Sequence, residues 1–511
     1  MPATSNAYSR LALRVTTLLF PPYALVLLWS GPASLGRKLL GSVGVLLFCL
    51  PYTALFVFLL VRFGGLQIEW RGGYIPALTW QPTAPDFDQL ERSRAQQAAQ
   101  SPAKLPLASS QAYWTGFRGP NRNGHYQEQP IITNWPATGP RELWRQPCGG
   151  GYASFAIAHG VAFTIEQRRQ QEVVVAYHFE TGREIWTHGW DAHFAESMGG
   201  DGPRATPAYD DGKVFAVGAT GELRCLNATD GELLWSKNIL TENNSSVPTY
   251  GVSASPLIVD EKLIVLTGGE RPGEVVCYNK HDGRKIWSSP RENTGYASPM
   301  LIELAGERQL LVSLATNTVG LRLNDGTVRW RFPWQVQNNQ LPIAQPVMIG
   351  SNRFVLSAGY FTGSAAFEIN EAGGEFSVKE LWRNKNMKNK FSTSVAWNGF
   401  VYGLDESILV CLDANTGERR WKDGRYGYGQ LLLASGHLVI LGGDGNVALL
   451  RATPERHEEI ARFQAIRGKT WNHPAISRGR LLVRNGAEMA CFDLSFGATA
   501  RVGGNLETSA R

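Results

Sequence analysis

The sequence predicts an all-β domain, an eight-bladed β-propeller, preceded by a transmembrane helical hairpin. Three observations carry that expectation. Gly followed four residues later by Trp recurs at Gly182/Trp186, Gly231/Trp235, Gly283/Trp287, Gly326/Trp330 and Gly417/Trp421, in segments such as CLNATDGELLW and CLDANTGERRW. A period of about forty to fifty residues marks a radial or solenoid repeat. The repeat also ends raggedly. The last stretch, GRLLVRNGAEMACFDLS, has inner strands but no outer strand with Trp, while Trp144 in RELW stands alone before the first complete unit. Pairing the two ends closes a ring and removes the exposed sheet edge; an open solenoid explains neither end. Finally, residues 39–61 carry no charge, in contrast to everything after them.

In chain order, residues 1–64 form the predicted membrane anchor, with spans at about 11–30 and 39–61. The second is long enough to cross a bilayer. The first is interrupted by Arg14 and by Pro21-Pro22. A signal peptide is its rival reading, disfavoured by the lack of a small-residue cleavage pattern. Arg10, Arg14, Arg62 and Arg71 flank the outer ends, against Arg37 and Lys38 in the loop. That count mildly favours a cytoplasmic propeller. Residues 65–112, rich in Gln, Ala, Ser and Pro from 81 onward, read as a linker or peripheral cover. The propeller spans 113–495, and 496–511 is a tail. A net charge of +6 over 511 residues gives no case for nucleic acid.

Each repeat reads as four short antiparallel strands. Asp-Gly or Thr-Gly supplies a turn that tolerates positive φ, and apolar residues alternate on either side. Two copies are disguised: Trp382 in VKELW follows a longer turn at Gly373-Gly374, and Phe463 takes the Trp place in EEIARF. Counting Trp144, Trp186, Trp235, Trp287, Trp330, Trp382, Trp421 and Phe463 gives eight outer strands. An indole buries about 150–250 Å², or ~4–6 kcal/mol of gross burial as an upper bound. These rings are therefore expected to pack blade against blade. Cys225, Cys277 and Cys411 each lie ten residues before their Trp, and Cys491 heads the matching strand of the last unit. Cysteines at one repeat position on different blades read as small buried hydrophobes, not disulfides.

The TGxxxW unit resembles the repeat of the PQQ-repeat, quinoprotein-like propellers, over roughly residues 114–495. The segment WTGFRGPNRNG (Trp114 to Gly124) is similar to the opening of membrane-anchored members. That family includes PQQ-dependent alcohol dehydrogenases and the outer-membrane assembly factor BamB. In the dehydrogenases the resemblance implies PQQ held with an adjacent-cysteine disulfide, a stacking Trp and Ca²⁺ on Glu, Asn and Asp. This chain has no adjacent Cys pair and no CxxCH. No cofactor, no metal and no catalytic residue are expected. The BamB-like reading implies a binding or scaffold module for a protein or peptide partner, tethered to the inner membrane by its N-terminal helices. The resemblance points to a periplasmic propeller, against the arginine count. The alternative is a PQQ-dependent oxidoreductase with calcium and diverged ligands, Arg204, Lys390 and Trp471 contacting the quinone.

Each unit opens with a polar residue leading into its first strand: Ser154, Thr206, Ser255, Ser298, Gln345, Ser394, Gln430 and His473. In a propeller the first strand lines the channel, so these eight are expected to ring one mouth. They either bind a ligand or hold backbone groups and water. Five are followed by Pro, which suits a strand start that needs no ladder donor. Tyr152, Arg204, Tyr250, Tyr296, Lys390, Tyr428 and Trp471 precede them as a bulky, partly cationic rim, to which Lys388 and Lys469 add charge. That rim suits an anionic group or a peptide. His473 is the sole histidine of the ring, and the Gly-rich segment with His193 and Asp201 is expected near the same mouth.

Overall fold

Tight Gly turns between alternating apolar strands build eight antiparallel sheets arranged as propeller blades. The computed structural model describes residues 21–69, 76–80, 85–100, 111–268 and 273–496. It divides into two compact units, residues 1–82 and 83–511.

In the first unit, helix Leu35–Phe63 is, among the described residues, the one helix long and apolar enough to cross a bilayer by length and composition. A shorter helix, Pro21–Ser30, precedes it, and Trp29 Nε1 donates to Ser42 Oγ at 3.0 Å. The first half of the expected span at 11–30 lies outside the described residues. The ten residues described are too few to cross alone.

The second unit holds the propeller. Blades one to seven occupy residues 156–191, 208–238, 257–288, 300–333, 347–384, 395–425 and 430–464. Blade eight joins strands between 475 and 493 to strand Glu142–Pro147 from the other end of the domain. Trp144 lies opposite Cys491 there, so the ring is closed as expected. The tail beyond residue 496 is outside the described residues.

The repeat residues act between blades. The Trp186 indole donates to Ala228 O at 3.0 Å in the next blade, Trp235 to Lys280 O at 3.1 Å, Trp287 to Leu323 O at 3.2 Å and Trp382 to Ala414 O at 3.0 Å. The same rings lie flat against the turn Gly of that next blade. A Cβ added at Gly231 would sit 2.5 Å from Trp186, and one at Gly182 2.5 Å from Trp144. These glycines also hold positive φ, 77° at Gly231 and 67° at Gly182. Gly and Trp of one motif thus serve two different interfaces. In seven blades the register slips beside the Trp, a β-bulge that lets it lean outward. In blade seven the same slip falls beside Ala461, so Ala461 holds the Trp place and Phe463, expected there, lies two residues further on opposite Val447. The residue opposite is small: Ala176, Cys225, Cys277, Gly320, Ala366, Cys411 and Cys491 face the seven tryptophans.

Three copies depart from this, each for a local reason. Blade five has the long hairpin 363–384, which presents no turn Gly to Trp330. That indole folds inward over Gly320 and donates to Gln309 Oε1 at 2.8 Å. Blade seven also lacks the Gly, so Trp421 meets His457 edge-on at 5.8 Å and donates to Thr453 O. Phe463 packs on Gly139, the turn glycine of the displaced strand. Trp144, Trp186, Trp287 and Trp330 are buried, whereas Trp235, Trp382 and Trp421 are only partly so, less than an interblade core position implies.

Residues Phe87–Gln100 form a helix on blades eight and one. Arg94 donates to Pro147 O at 2.6 Å, Arg183 to Gln97 O at 2.6 Å, and Arg169 pairs with Glu91 at 2.7 Å.

Candidate functional site

The strand-start residues gather around the channel, and most of them bond to neighbouring blades, while Gln345 Oε1, Gln430 Oε1 and His473 Nδ1 are buried with no hydrogen-bond partner among the described residues. Ser154 N donates to Thr206 Oγ1, Thr206 N to Ser255 Oγ and Ser255 N to Ser298 Oγ, each at 2.9 Å. Gln345 continues the belt, donating from Nε2 to Ser298 O at 3.1 Å and from its main chain to Thr393 Oγ1 at 3.0 Å. Gln430 Nε2 bridges Phe391 O and Trp471 O, and Ser154 Oγ closes the circle on His473 O at 2.6 Å. Ser394 does not join it. Its hydroxyl turns to Asn389 Oδ1 at 2.9 Å, and the preceding Thr393 takes its place. The hydroxyls supply what strand starts lack, a partner for main-chain N–H groups that no ladder reaches.

A crossbar closes the channel. Trp114 O and Thr115 O accept from Ile157 N and Tyr209 N on the inner strands of blades one and two, both at 2.7 Å. At the far end Gly124 O accepts from Leu433 N, and His125–Tyr126 pair in parallel with blade seven. In between, Arg118 donates to Thr393 O, Leu431 O and Ser394 O, and Arg122 to Pro256 O and Ser255 O. Burial pushes both guanidinium groups down to about 9. Among the described residues neither has a carboxylate partner; carbonyl dipoles hold the two cations, and the Phe117 ring lies 5.9 Å from the Arg122 guanidinium. In sequence this segment reads only as an opening motif. The signal it carries is three glycines, Gly116, Gly119 and Gly124, around two arginines. A Cβ at Gly119 would strike Trp114, and one at Gly124 would strike Arg118.

His473 faces this crossbar, its ring edge-on to Phe117 at 4.7 Å. Burial, and then the Arg118 charge, hold its pKa well below the usual histidine range, so it is neutral at pH 7.

The rim is aromatic. Trp471 stacks with Tyr152 at 5.5 Å and meets Phe391 at 4.7 Å, and Phe391 meets Tyr428 at 5.3 Å. The Lys390 ammonium lies 5.0 to 5.6 Å from the rings of Tyr360, Phe391 and Tyr428, and burial lowers its pKa. Tyr250 and Tyr296 meet at 5.8 Å on the opposite side. Over the Tyr152 side lies the Gly-rich segment 193–202. Lys469 Nζ donates to Gly199 O at 2.7 Å, Arg204 donates to Gly200 O at 2.8 Å, and Arg204 pairs with Glu196 at 3.3 Å. Arg204 and Lys469 thus fasten the segment to the rim. His193 and Asp201 pair within it at 3.5 Å. Lys388 pairs with Asp405.

All six cysteines are free. Among the described residues no three of His, Cys, Asp and Glu converge. Trp471 is engaged by Tyr152, Phe391 and the Lys469 ammonium at 3.9 Å.

Comparison with known proteins agrees with the architecture. The family model described as outer membrane protein assembly factor BamB matches residues 170–423. BamB of Xanthomonas campestris is 32% identical over 111 residues, which span 22% of this chain and 27% of that protein. BamB of Shewanella oneidensis is 23% identical over 383 residues, 63% of this chain and 93% of that protein. Among solved structures, the quinohemoprotein alcohol dehydrogenase ADHIIG of Pseudomonas putida superposes with a TM-score of 0.56 at 13% identity, covering 80% of this chain and 84% of that one. That likeness is one of fold.

Proposed function

Since the chain is a PQQ-repeat, quinoprotein-like propeller of the BamB-like kind, we propose that it is a tethered docking module. Its channel mouth holds a segment of a partner protein, and it performs no chemistry of its own. The observation that carries this reading is the hydrogen-bond belt. The hydroxyls of Thr206, Ser255 and Ser298 and the amide N–H groups of Gln345 and Gln430 are bonded to adjacent blades. The orphaned Gln345 Oε1, Gln430 Oε1 and His473 Nδ1 are buried rather than open to the mouth, and the crossbar crosses the channel below. Above it lies an aromatic rim, with the buried Lys390 and the half-buried Lys469 among its rings. Aromatic side chains with cations between them suit protein surfaces, because large rigid rings supply contact area at low entropic cost. In this reading helix Leu35–Phe63 tethers the propeller to the inner membrane, with the propeller on the periplasmic side, and no quinone is resident. BamB relatives are named for outer membrane protein assembly, which makes an envelope protein the partner class to seek.

The test separates this from a quinoprotein. Full-length chain in detergent is titrated with PQQ and Ca²⁺ by calorimetry and absorbance. The docking reading expects neither heat nor a chromophore shift. Dye reduction that depends on both additions would overturn it. Reporter fusions at the C-terminus test the periplasmic placement.

A further inference from the structure

The turn between the second and third strands of blade five places two consecutive aromatic residues at positive φ. Strands Arg353–Ala358 and Gly363–Ala372 are joined by Gly359-Tyr360-Phe361-Thr362, closed by Thr362 N donating to Gly359 O at 3.0 Å. Tyr360 and Phe361 both hold positive φ, 55° and 70°. Two positive values at the central positions define a type I′ turn, whose natural occupants are Asn-Gly. Bulky aromatic residues are the least suited to that backbone. The corresponding turns hold a single positive-φ residue, Arg169 in blade one, Gly221 in blade two, Glu406 in blade six and Gly445 in blade seven, and none of these is aromatic. Packing does not account for the choice of Phe361, which is 55% exposed. Strain that the fold does not require points to a functional site.

The turn stands at one end of a continuous surface. Tyr360 covers the Lys390 ammonium at 5.0 Å. From there Tyr428, Phe391, Trp471 and Tyr152 follow in ring contact, with Lys469 on Trp471. Beneath them the crossbar holds two cations without a carboxylate partner among the described residues. Glu406, which accepts from Tyr428 Oη at 3.3 Å, offsets Lys390, and Glu196 pairs with Arg204, so Lys469 and the two crossbar arginines supply the positive charge that favours a carboxylate here.

We propose that the strained Tyr360-Phe361 turn is the anchor of the docking mouth, and that its partner is an extended protein segment placing an aromatic or large aliphatic side chain on Phe361 with a carboxylate beside it. This rests on the docking function proposed above and names the ligand chemistry of that site. An exposed aromatic held rigidly by its backbone loses little freedom on binding, which is what an energetic hot spot needs.

The test uses full-length chain in detergent and an array of short synthetic peptides. In these, Phe, Trp, Leu or Ala stands beside either two Glu or two Lys, and the strongest binder is carried into solution by fluorescence anisotropy. Phe361→Gly is the diagnostic variant, since Gly relieves the backbone. We expect the acidic, aromatic peptides to bind, Phe361→Gly to weaken them by about tenfold or more, and its melting temperature to equal or exceed that of the parent. Phe361→Trp is expected to restore binding. Binding unchanged in Phe361→Gly, or a preference for the Lys peptides, overturns this inference and leaves a docking module of another specificity. A fall in melting temperature in Phe361→Gly, with the Tyr360→Asn variant falling likewise, means that the aromatics are structural and also overturns it. No peptide bound by the parent chain overturns the docking reading itself.

Discussion

The Gly-x-x-x-Trp motif predicts its own coupling pattern, which is not the one its spacing suggests. Gly231 touches Trp186 of the preceding blade, whereas Trp235, four residues on, leans on Gly283 of the following one. Gly231→Ala forces an L-residue into φ of 77°, at about 1–2 kcal/mol. It also drives a methyl to 2.5 Å from the Trp186 ring, an overpacking cost of about 1–3 kcal/mol. The sum is about 2–5 kcal/mol. Trp186→Ala alone is expected to cost about 3–5 kcal/mol. In that background the methyl has room, so Gly231→Ala retains only its backbone cost of ~1–2 kcal/mol. The cycle should therefore report about 1–3 kcal/mol of coupling between residues 231 and 186, and close to none between 231 and 235. Urea unfolding of the full-length chain in detergent, followed by far-UV circular dichroism, supplies the free energies where the m value is unchanged. Additivity within about 0.5 kcal/mol for the 231/186 pair, or equal coupling for both pairs, would refute the interblade account.

Three other perturbations address ring closure, the crossbar and pH. Deleting residues 141–147 removes the outer strand of blade eight; the m value should fall and the transition broaden, and an unaltered transition contradicts closure. Arg118→Met strands the carbonyls of Thr393, Leu431 and Ser394 and should destabilise by about 1.5–3 kcal/mol, measured in the same urea assay. Burial raises the Glu172 carboxyl from its ordinary 4.5 to about 7, with its Oε1 accepting from Ala219 N in the next blade. The folded chain therefore keeps a proton that the unfolded chain has released, and stability falls as pH rises from 4.5 to about 7. Glu172→Gln should flatten that slope and add on the order of 2–3 kcal/mol at pH 8. Parallel pH profiles for the two proteins would contradict it.

How much of this was legible depends on whether the physical cause is local. The turn glycines and the alternation around them are local demands, so the blades, their number and the displaced strand with Trp144 could be read directly. The partner of each Trp lies in another blade, so the inward fold of Trp330 over Gly320 could not. The ring positions were legible because Pro follows five of them, yet only coordinates place Thr393, not Ser394, in the belt. The crossbar left little trace, because Arg118 and Arg122 bind main-chain carbonyls and no acidic partner marks them in sequence. Helix Phe87–Gln100 is nearly devoid of large apolar residues. Its docking uses the buried Leu90, ion pairs to Arg169 of blade one and hydrogen bonds to Gln146 and Pro147 of blade eight, and the mostly polar segment reads in sequence as a solvated cover. Backbone strain at Tyr360 and Phe361 has no sequence signature other than the wrong residues in a hairpin turn.

A docking mouth is tested most directly by where a partner touches the ring. A photo-crosslinking amino acid placed singly at Tyr428, Tyr152 and Phe361 on the rim, and at Gln129 beside the crossbar, would be activated in the native membrane. Protein adducts from the three rim positions, with none from Gln129, are the result expected of a docking mouth. Adducts from Gln129 alone, or none from any rim position, would contradict it.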